Sequence, residues 1–597
     1  MIENNISPSP GASIPKWGYK LEIGKHTFKD RILENCIYVD KTQYIYELIN
    51  RDSNCFMSRP RRFGKSLLIS TFKELFSGSK ELFKNCWIYD KIEWQEYPII
   101  HLDFITVDYK TFGLEPALLK SLDSLAKRFN IKLSGESIKE KFDELITLLA
   151  KEKKVVVLID EYDKPIIDFM DNIPQAIKNR DILKNFYSVL KSQSGNIKFL
   201  FITGVSKFSQ VSIFSDLNHL KDITIHPLYS RMLGYTQDEI EHCFSYYVEK
   251  WENQTGQGRG ILFEKLKNHY NGYSWDGKHF VYNPFSILSF FDTFLFKNYW
   301  FATGTPTFLV NILKKTGVLI DTYERMCVGG TFFEKYDIGT MGIDNISSLL
   351  FQTGYLTIKE IAGDDYILSY PNREVRNAFL QYLLEGFSNK PEYETREITS
   401  GIRAALSENK IDDFIQRMKA LLSSIPYNIQ IENREAYYHS LVFVALKISM
   451  LDVQAEIQTA KGRGDIVVSM ERFIYIIEFK MGSPQSAIDQ IEEKQYYSPY
   501  IGQGKKIILL GIGLDEAQRN IGDWESWEWG TPRVKKETPV LKEKDVSRGT
   551  SAQKDELEAV RKEEKRQMAG LMRAKNYPVE EIILLTGLSR EEVEGLR

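Results

Sequence analysis

Four short apolar runs, separated by helix-like stretches, dominate the first third of the chain. The runs cover residues 54–57, 99–104, 155–159 and 197–203, and each has the length of a β-strand. Helical patterns stand between them, for example at 117–129 and 138–151. Continuous apolar strands that alternate with helices are typical of a parallel sheet covered on both faces. The pattern therefore predicts an α/β domain over residues 16–228, preceded by a loose leader at 1–15.

The pattern becomes mainly helical between residues 229 and 400, for instance at 236–251 and 261–271. A pair of short runs at 355–358 and 366–368 predicts a hairpin. We interpret this region as a helical lid followed by a small accessory module that resembles a winged helix. An amphipathic helical connector is predicted at 401–424.

A second group of strand-like runs predicts another small α/β unit over residues 425–529. Its strands are expected at 452–457, 465–469, 474–479 and 506–511, and its helices at 432–447 and 486–500. Residues 530–551 are charged and contain Pro and Gly, which is typical of a linker. The last segment, 552–597, is predicted as a helical tail, in which Ser589 and Glu592 have the spacing of a capping box for the last helix. Two short helical patterns about a Gly-containing turn make it a possible helix-turn-helix.

Composition restricts the class of protein without identifying its chemistry. The 597 residues exceed what one core supports, and the net charge of −3 gives no general basic surface for nucleic acid. The five cysteines lack the paired spacing of a metal site, so we expect reduced thiols and a cytoplasmic location. No apolar run is long enough for a membrane helix, and no membrane partner is expected.

The stretch after the first strand has the end of a phosphate-binding loop. Gly64, Lys65 and Ser66 precede a helical pattern, where backbone N–H groups and a helix N-terminus can bind phosphate. Lys65 would contact the β- and γ-phosphates, and the Ser66 hydroxyl would help hold Mg²⁺. The glycine that the consensus places five positions before Gly64 is replaced by Arg59, so the motif needs support from elsewhere.

That support comes from two later strands. Asp160 and Glu161 end the strand at 155–159, and in ATPases of this organisation the first acid supports Mg²⁺ while the second activates water. Thr203 or Ser206, at the end of the next strand, could sense the γ-phosphate. An apolar strand followed by two acids commonly marks only a strand end, but the order of loop, acidic strand and polar strand end favours nucleotide binding and hydrolysis.

Several motifs resemble the AAA-ATPase-like family of bacterial proteins. They are YVDKT at 38–42, SRPRRFGKSL at 58–67, IIHLD at 99–103, LIDEYDKP at 158–165, TGVS at 203–206, YNGY at 270–273 and YNP at 282–284. In that family the first loop glycine is commonly replaced. The resemblance implies a P-loop NTPase fold that binds ATP through loop residues Arg61, Arg62, Phe63, Gly64, Lys65, Ser66 and Leu67.

The arginines of this loop suggest a separate hypothesis. Arg59, Arg61 and Arg62 lie where phosphate charge would concentrate, and one of them could neutralise it as an arginine finger does. The alternative is a solvated basic loop, or pairing of these arginines with nearby acids.

Two carboxylates and a lysine form a second candidate site near the C-terminus. Glu478 and Lys480 project from one strand face, and Asp465 lies on the neighbouring strand of a predicted hairpin. Asp465 and Glu478 would hold Mg²⁺, and Lys480 would position the attacking water in phosphodiester hydrolysis. Glu435 on the preceding helix, and Gln490 and Tyr496 on the following one, would support them. A plain strand with alternating charges is the alternative.

This arrangement resembles the PD-(D/E)XK nuclease superfamily, in the variant fused to AAA-ATPase-like domains. The resemblance implies a restriction-endonuclease-like α/β domain, and it completes the predicted fold class: two α/β units, an accessory module and a helical tail. We expect ATP and Mg²⁺ as cofactors, and DNA and possible copies of the same chain as partners. Either ATP controls an active nuclease, or the chain is an ATP-regulated switch with a catalytically silent nuclease-like domain; an inert nucleotide-binding scaffold is the third possibility.

Overall fold

The computed structural model describes residues 20–25, 27–206, 220–300, 313, 320–333, 343–423, 434–449, 452–459, 462–515 and 520–531, with five isolated positions near the C-terminus. The chain divides into two compact units, 1–529 and 530–597. The predicted leader, most of the linker and the helical tail lie outside the described residues. The side chains of Glu435 and Asp465 lie outside them as well.

The first unit begins with a five-stranded parallel sheet in the order β2-β3-β4-β1-β5. Its strands are β1 (Asn54–Ser58), β2 (Ile99–Asp103), β3 (Val155–Asp160), β4 (Ile197–Gly204) and β5 (Lys221–Asp222). Every residue of β3 is buried, as expected for a central strand with helices on both faces. The four predicted strands are confirmed within one residue at each end, and β5 was not predicted.

Nine helices accompany this sheet within the described residues. They are α1 (Phe28–Leu33), α2 (Thr42–Arg51), α3 (Lys65–Phe76), α4 (Tyr109–Phe112), α5 (Leu114–Arg128), α6 (Ile138–Leu149), α7 (Lys164–Ile167), α8 (Ile173–Tyr187) and α9 (Val189–Ser192). Short 3₁₀ turns occur at Lys80–Phe83, Ser194–Asn196 and Pro227–Tyr229. Ser137 and Glu140 form a capping box that fixes the start of α6. Helix α3 follows β1 directly, so the loop between them lies at the carboxyl edge of the sheet.

The accessory module combines helices with a three-stranded antiparallel sheet in the order β6-β8-β7. Its helices are α10 (Gln237–Cys243), α11 (Ser245–Thr255), α12 (Arg259–Tyr270), α13 (Pro284–Thr293), α14 (Ile343–Thr353) and α15 (Arg373–Ser388). Its strands are β6 (Met326–Gly329), β7 (Thr357–Ala362) and β8 (Asp365–Ser369). Further 3₁₀ turns lie at Ile320–Glu324 and Gly330–Phe333. The predicted hairpin is confirmed by β7 and β8. The helical pattern at 236–251 corresponds to two helices, α10 and α11, because the chain leaves helical geometry at Phe244.

A second sheet forms the C-terminal α/β part of this unit, in the order β13-β12-β11-β10-β9. Its strands are β9 (Asp452–Thr459), β10 (Gly462–Ser469), β11 (Phe473–Met481), β12 (Lys506–Asp515) and β13 (Asn520–Glu528). Its helices are α16 (Glu392–Ser407), α17 (Ile411–Leu422), α18 (Arg434–Ile448) and α19 (Pro484–Lys494), with a 3₁₀ turn at Ser498–Tyr500. Strands β11 and β12 are parallel and the other pairs are antiparallel. The predicted strands are confirmed, and β13 was missed.

The segment predicted as a connector is part of the packed structure. Residues 401–407 belong to α16 and 411–422 to α17, and the buried face of α17 includes Phe414, Met418 and Leu421. This helix packs against β13, and the Tyr475 hydroxyl of β11 donates to the Leu406 carbonyl of α16 at 2.7 Å. The segment is helical and amphipathic as predicted, and its apolar face stabilises the second sheet.

Two features bear on the environment of the protein. All five cysteines are free, as expected. Within the described ranges, no helix is both long and apolar enough to cross a lipid bilayer.

Candidate nucleotide site and candidate nuclease centre

The phosphate loop, residues 59–65, joins β1 to α3. Gly64 adopts a φ of 96°, in the left-handed region, and it caps α3 without a side-chain hydrogen bond. The Lys65 side chain is 4% exposed, and its Nζ donates to the carbonyls of Arg59 at 3.1 Å and Pro60 at 3.2 Å. Lys65 thus lies back across the loop, while the first turn of α3 has backbone N–H groups without intrahelical acceptors. This arrangement suits an anion at the start of the helix.

The acids at the end of β3 lie beside this loop. The Ser66 hydroxyl hydrogen-bonds the Asp160 carboxylate, and Lys65 Nζ lies 3.4 Å from Glu161 Oε1. Burial, followed by the neighbouring Glu161 charge, raises the pKa of Asp160 to about 7. Glu161 has a φ of 52°, a left-handed conformation that is uncommon for a residue with a side chain. The structure therefore brings together Lys65, Ser66, Asp160 and Glu161, as the sequence predicted.

The donor set around Ser66 suits Mg²⁺ bound together with a nucleotide. Among the described residues, no group of three or more His, Cys, Asp or Glu side chains could hold a metal by itself. A protein that binds Mg²⁺ through phosphates and waters needs only one or two oxygen ligands of its own. Ser66 and Asp160 supply one hydroxyl and one carboxylate, so the residues present fit the magnesium of a bound nucleotide.

Two further carboxylates at this edge were missed by sequence reasoning. Asp103 ends β2 in register with Asp160, and burial raises its pKa. Asp163 is fully buried and accepts from the Ser206 hydroxyl at 2.6 Å and from the backbone N–H groups of Ser206 and Val205 at 2.6 and 3.1 Å. Both acids lie in the quoted motifs, Asp103 at the end of β2 and Asp163 just before α7, but neither gave a separate signal.

The two predicted phosphate sensors are already engaged in the scaffold. The Thr203 hydroxyl is 1% exposed and donates to the Met57 carbonyl at 2.7 Å, which joins β4 to β1. Its contact with phosphate stays a prediction, and in this structure the hydroxyl is bonded within the sheet. The Ser206 proton is donated to Asp163, so Ser206 holds the turn after β4.

The three loop arginines differ in where their side chains lie. Arg59 is fully buried, donates to the carbonyls of Ser58, Thr224 and Tyr229, and lies 4.0 Å from the Trp275 ring centroid. Burial lowers its pKa to about 9. The expectation that Arg59 could neutralise phosphate is wrong, because its guanidinium is bound to backbone carbonyls inside the protein.

The remaining loop residues offer a ligand either an exposed side chain or only a backbone N–H group. Arg62 is exposed, with its guanidinium 4.9 Å from the Phe285 ring, and the Arg61 side chain is partly exposed. The Phe63 side chain is 1% exposed and packs edge-on against Tyr273 and Trp275, with ring centroids 4.8 and 5.4 Å away. Phe63 can therefore contact a phosphate only through its backbone. Leu67 lies in the first turn of α3, where its backbone N–H has the same role.

The second candidate site centres on Glu478 in β11. This carboxylate is 1% exposed, and the Gln490 amide of α19 donates to it and, at 3.2 Å, to the Tyr496 hydroxyl. Lys480 Nζ lies 3.7 Å from Glu478 Oε1, and the lysine side chain is 35% exposed. The structure thus brings together Glu478, Lys480, Gln490 and Tyr496, with one buried carboxylate and one accessible ammonium group. Tyr496 was expected on the same helix as Gln490, but α19 ends at Lys494 and Tyr496 lies in the turn after it.

For the other two predicted acids the structure gives only the backbone position, and it places Asp465 beside Glu478. Ile466 of β10 pairs with Ile477 of β11, and Asp465 and Glu478 are the next residues along these antiparallel strands. Glu435 lies on α18, which packs against β9. A carboxylate pair with a neighbouring lysine can bind a divalent cation and stabilise charge on a phosphodiester.

Two glycines of β12 let α19 approach the sheet closely. Neither glycine was among the predicted site residues. A Cβ at Gly511 would lie 2.3 Å from the Pro484 carbonyl oxygen, and one at Gly513 would lie 2.1 Å from the Gly482 carbonyl oxygen. This close approach brings Gln490 to Glu478. The alternating glycines in an apolar strand were the available signal.

We expect Gly511→Ala to destabilise the C-terminal sheet by about 1–3 kcal/mol, because the added methyl group must displace the start of α19. Thermal unfolding of the whole chain measures this effect. Gly260→Ala in α12 is the matched control, since a Cβ there meets nothing within 4 Å. Equal unfolding temperatures for the two variants would contradict the close-packing explanation.

Comparison with known proteins agrees with both sites. Residues 22–214 match a family described as predicted AAA-ATPase, and residues 433–524 match the PD-(D/E)XK nuclease superfamily. A protein of Azotobacter chroococcum mcd 1, described as an uncharacterized protein in the vnfD 5′ region, is 34% identical over 520 residues. The match covers 84% of this chain and 98% of that relative. No solved structure matches the chain.

The matched ranges contain the two sites described above. The first includes the phosphate loop and the acids that follow β3, and the second includes Glu478 and Lys480. The similarity to the Azotobacter protein extends over nearly all of that relative. The chain therefore belongs to the family of predicted AAA-ATPases that carry a C-terminal PD-(D/E)XK nuclease superfamily domain.

Proposed function

We propose that this protein binds and hydrolyses ATP, and that its nucleotide state controls a Mg²⁺-dependent nuclease activity of the C-terminal domain on DNA. The observation that carries the proposal is the convergence of Lys65, Ser66, Asp160 and Glu161 at the carboxyl edge of the parallel sheet. Ligands of open α/β sheets bind at this edge. The matched domain families support the two chemistries.

Each residue of the nucleotide site has a distinct role in this proposal. The Lys65 ammonium group exchanges its contacts with the loop carbonyls and Glu161 for contacts with the β- and γ-phosphates. Ser66 and Asp160 would hold the magnesium, which would supply charge neutralisation to the phosphates. Glu161 accepts a proton from the water that attacks the γ-phosphate, and the bond from the γ-phosphorus to the bridging oxygen breaks to release ADP and phosphate. The buried Asp163 maintains the turn that follows β4.

The nuclease centre is proposed to cleave the phosphodiester bond by hydrolysis. Asp465 and Glu478 would hold Mg²⁺, which lowers the pKa of bound water when present. Lys480 orients the attacking water and stabilises the negative charge that develops on the phosphate. Gln490 fixes the orientation of the Glu478 carboxylate, and Tyr496 in turn accepts from Gln490. Glu435 is proposed as an additional carboxylate.

The experiment that tests this function measures ATP hydrolysis and DNA cleavage by the same preparation, with Mg²⁺ present and with Mg²⁺ removed by chelation. The proposal requires both activities in the wild-type protein and the loss of both without the cation. ATP hydrolysis without cleavage of any DNA form would leave the regulated switch with a silent nuclease-like domain as the function.

The arginine-finger hypothesis is now limited to Arg61 and Arg62. If Arg61 neutralises transition-state charge, Arg61→Ala should lower kcat for ATP hydrolysis by roughly 10³-fold. Arg180→Ala on the surface of α8 is the control and should hydrolyse ATP normally, since Arg180 pairs only with its neighbour Asp181 among the described residues. Normal hydrolysis by Arg61→Ala would end the role of Arg61.

A further inference from the structure

The phosphate loop is contacted by the accessory module along most of its length. Arg59 and Phe63 pack against Trp275. A Cβ at Gly354, which has a φ of 92°, would lie 2.7 Å from the Pro60 ring. The indole Nε1 of Trp300 donates to the Arg61 carbonyl at 3.1 Å. The conformation of the loop thus depends on residues more than 200 positions away in sequence.

The Trp300 bond controls the direction of a particular backbone N–H group. In a trans peptide the C=O and the following N–H point in opposite directions. When Trp300 holds the Arg61 carbonyl on its own side, the Arg62 N–H of the same peptide plane must point in the opposite direction, away from Trp300. Arg62 also adopts a φ of 68°, a left-handed conformation that costs roughly 1 kcal/mol or more and needs support from its surroundings.

Trp300 is itself fixed by a buried carboxylate. The Trp300 backbone N–H donates to Glu374 Oε1 at 2.8 Å, and the Ser286 hydroxyl donates to Glu374 Oε2 at 2.8 Å. Glu374 is fully buried in the first turn of α15. A buried carboxylate is costly unless it is hydrogen-bonded, so these bonds define one position for both Glu374 and Trp300.

Helix α15 extends this connection to the nuclease-like part. It packs against α18, the helix that carries Glu435. Glu324 joins the two helices, with Oε1 3.0 Å from Arg376 Nε of α15 and 3.8 Å from Lys447 Nζ of α18. A continuous set of contacts therefore runs from the phosphate loop through Trp300 and Glu374 to α18.

We propose that Trp300, held by Glu374, is a positioning residue that sets the phosphate loop for nucleotide binding and links the loop to α15 and α18. This inference rests on the proposed function, because it assumes that the loop binds ATP. Trp300 does not contact the nucleotide. By reciprocity, a nucleotide that binds the set loop must stabilise the Trp300 contacts in return.

The first test compares nucleotide affinity in matched tryptophan variants. Trp300→Phe keeps an aromatic ring against Tyr355 and Tyr273 but removes the indole N–H. We expect it to raise the Kd for a non-hydrolysable ATP analogue roughly three- to tenfold, the effect of losing one net hydrogen bond. Trp94→Phe is the control, because Trp94 Nε1 also donates to a backbone carbonyl, that of Tyr89, at 2.9 Å.

Hydrogen exchange provides the readout that a merely structural role would not change. In the protein without nucleotide, Trp300→Phe should increase amide exchange in the peptide that spans the phosphate loop, whereas Trp94→Phe should leave it unchanged. In the wild type, the ATP analogue should slow exchange in peptides from the start of α15 as well as in the loop. The wild-type comparison, with and without the ATP analogue, does not depend on the folding of any variant.

The outcomes separate the inference from the function on which it rests. If the wild type binds no ATP analogue, the proposed function fails and the inference fails with it. If the wild type binds and Lys65→Ala does not, but Trp300→Phe binds like the wild type and α15 is not protected, the positioning role alone is overturned. An increased Kd with a matching increase in loop exchange supports it.

Discussion

Lys65→Ala is expected to abolish ATP binding and hydrolysis, with a loss of roughly 100-fold or more in kcat/KM. The reason is that Lys65 is the cation of the phosphate loop, bonded to the Arg59 and Pro60 carbonyls and 3.4 Å from Glu161. Removal of a positioned charge that stabilises a phosphoryl transition state typically has an effect of this size or larger. Phosphate release and equilibrium nucleotide binding, measured on the same protein, check both parts.

Two companion variants make this first prediction specific. Lys73→Ala, at an exposed position near the end of the same helix, should behave like the wild type. Glu161→Gln keeps the side-chain size but cannot accept a proton, so it should bind ATP and fail to hydrolyse it. Unchanged hydrolysis in either Lys65→Ala or Glu161→Gln would contradict the proposed ATPase site.

The second large effect is expected at the nuclease centre. Lys480→Ala should lower the rate of DNA cleavage by at least about 100-fold, because it removes the positive charge next to Glu478 that stabilises the phosphodiester transition state. Cleavage is measured by the appearance of shortened or nicked DNA over time. ATP hydrolysis by this variant should persist, since Lys480 belongs to the other site.

A lysine on the neighbouring strand provides the matched control. Lys506 lies at the start of β12, is exposed, and pairs with Glu528 at 3.0 Å. Lys506→Ala should cleave DNA at the wild-type rate. Cleavage that persists at full rate in Lys480→Ala would show that the nuclease site lies elsewhere or that the observed activity is a contaminant.

The sequence predicted the strands of both sheets well because their apolar patterns are strong. Residues 155–160 are apolar until the final Asp160, and the structure buries all of them. Strand β13 was missed because it is polar and only partly buried at the edge of its sheet, so no alternation of apolar residues marks it. The two-residue β5 is too short to have a pattern of its own.

Some residues of the candidate sites could be predicted from the sequence and others could not. Lys65, Ser66, Asp160, Glu161, Glu478 and Lys480 could be selected because their chemistry follows from spacing within short motifs. The positions of the Arg59 and Thr203 side chains could not be predicted from the sequence, because these side chains bond to carbonyls of residues distant in sequence or on a neighbouring strand. Trp300 and Glu374 were likewise invisible, since only the packing of the accessory module brings them to the loop.

The central claim is that nucleotide at the first site controls cleavage at the second. The most direct measurement is DNA cleavage with Mg²⁺, with and without ATP, by the wild type, Lys65→Ala and Asp465→Ala. We expect ATP to change the cleavage rate of the wild type, Lys65→Ala to cleave at a rate independent of ATP, and Asp465→Ala not to cleave. Equal wild-type cleavage with and without ATP, or full cleavage by Asp465→Ala, would contradict it.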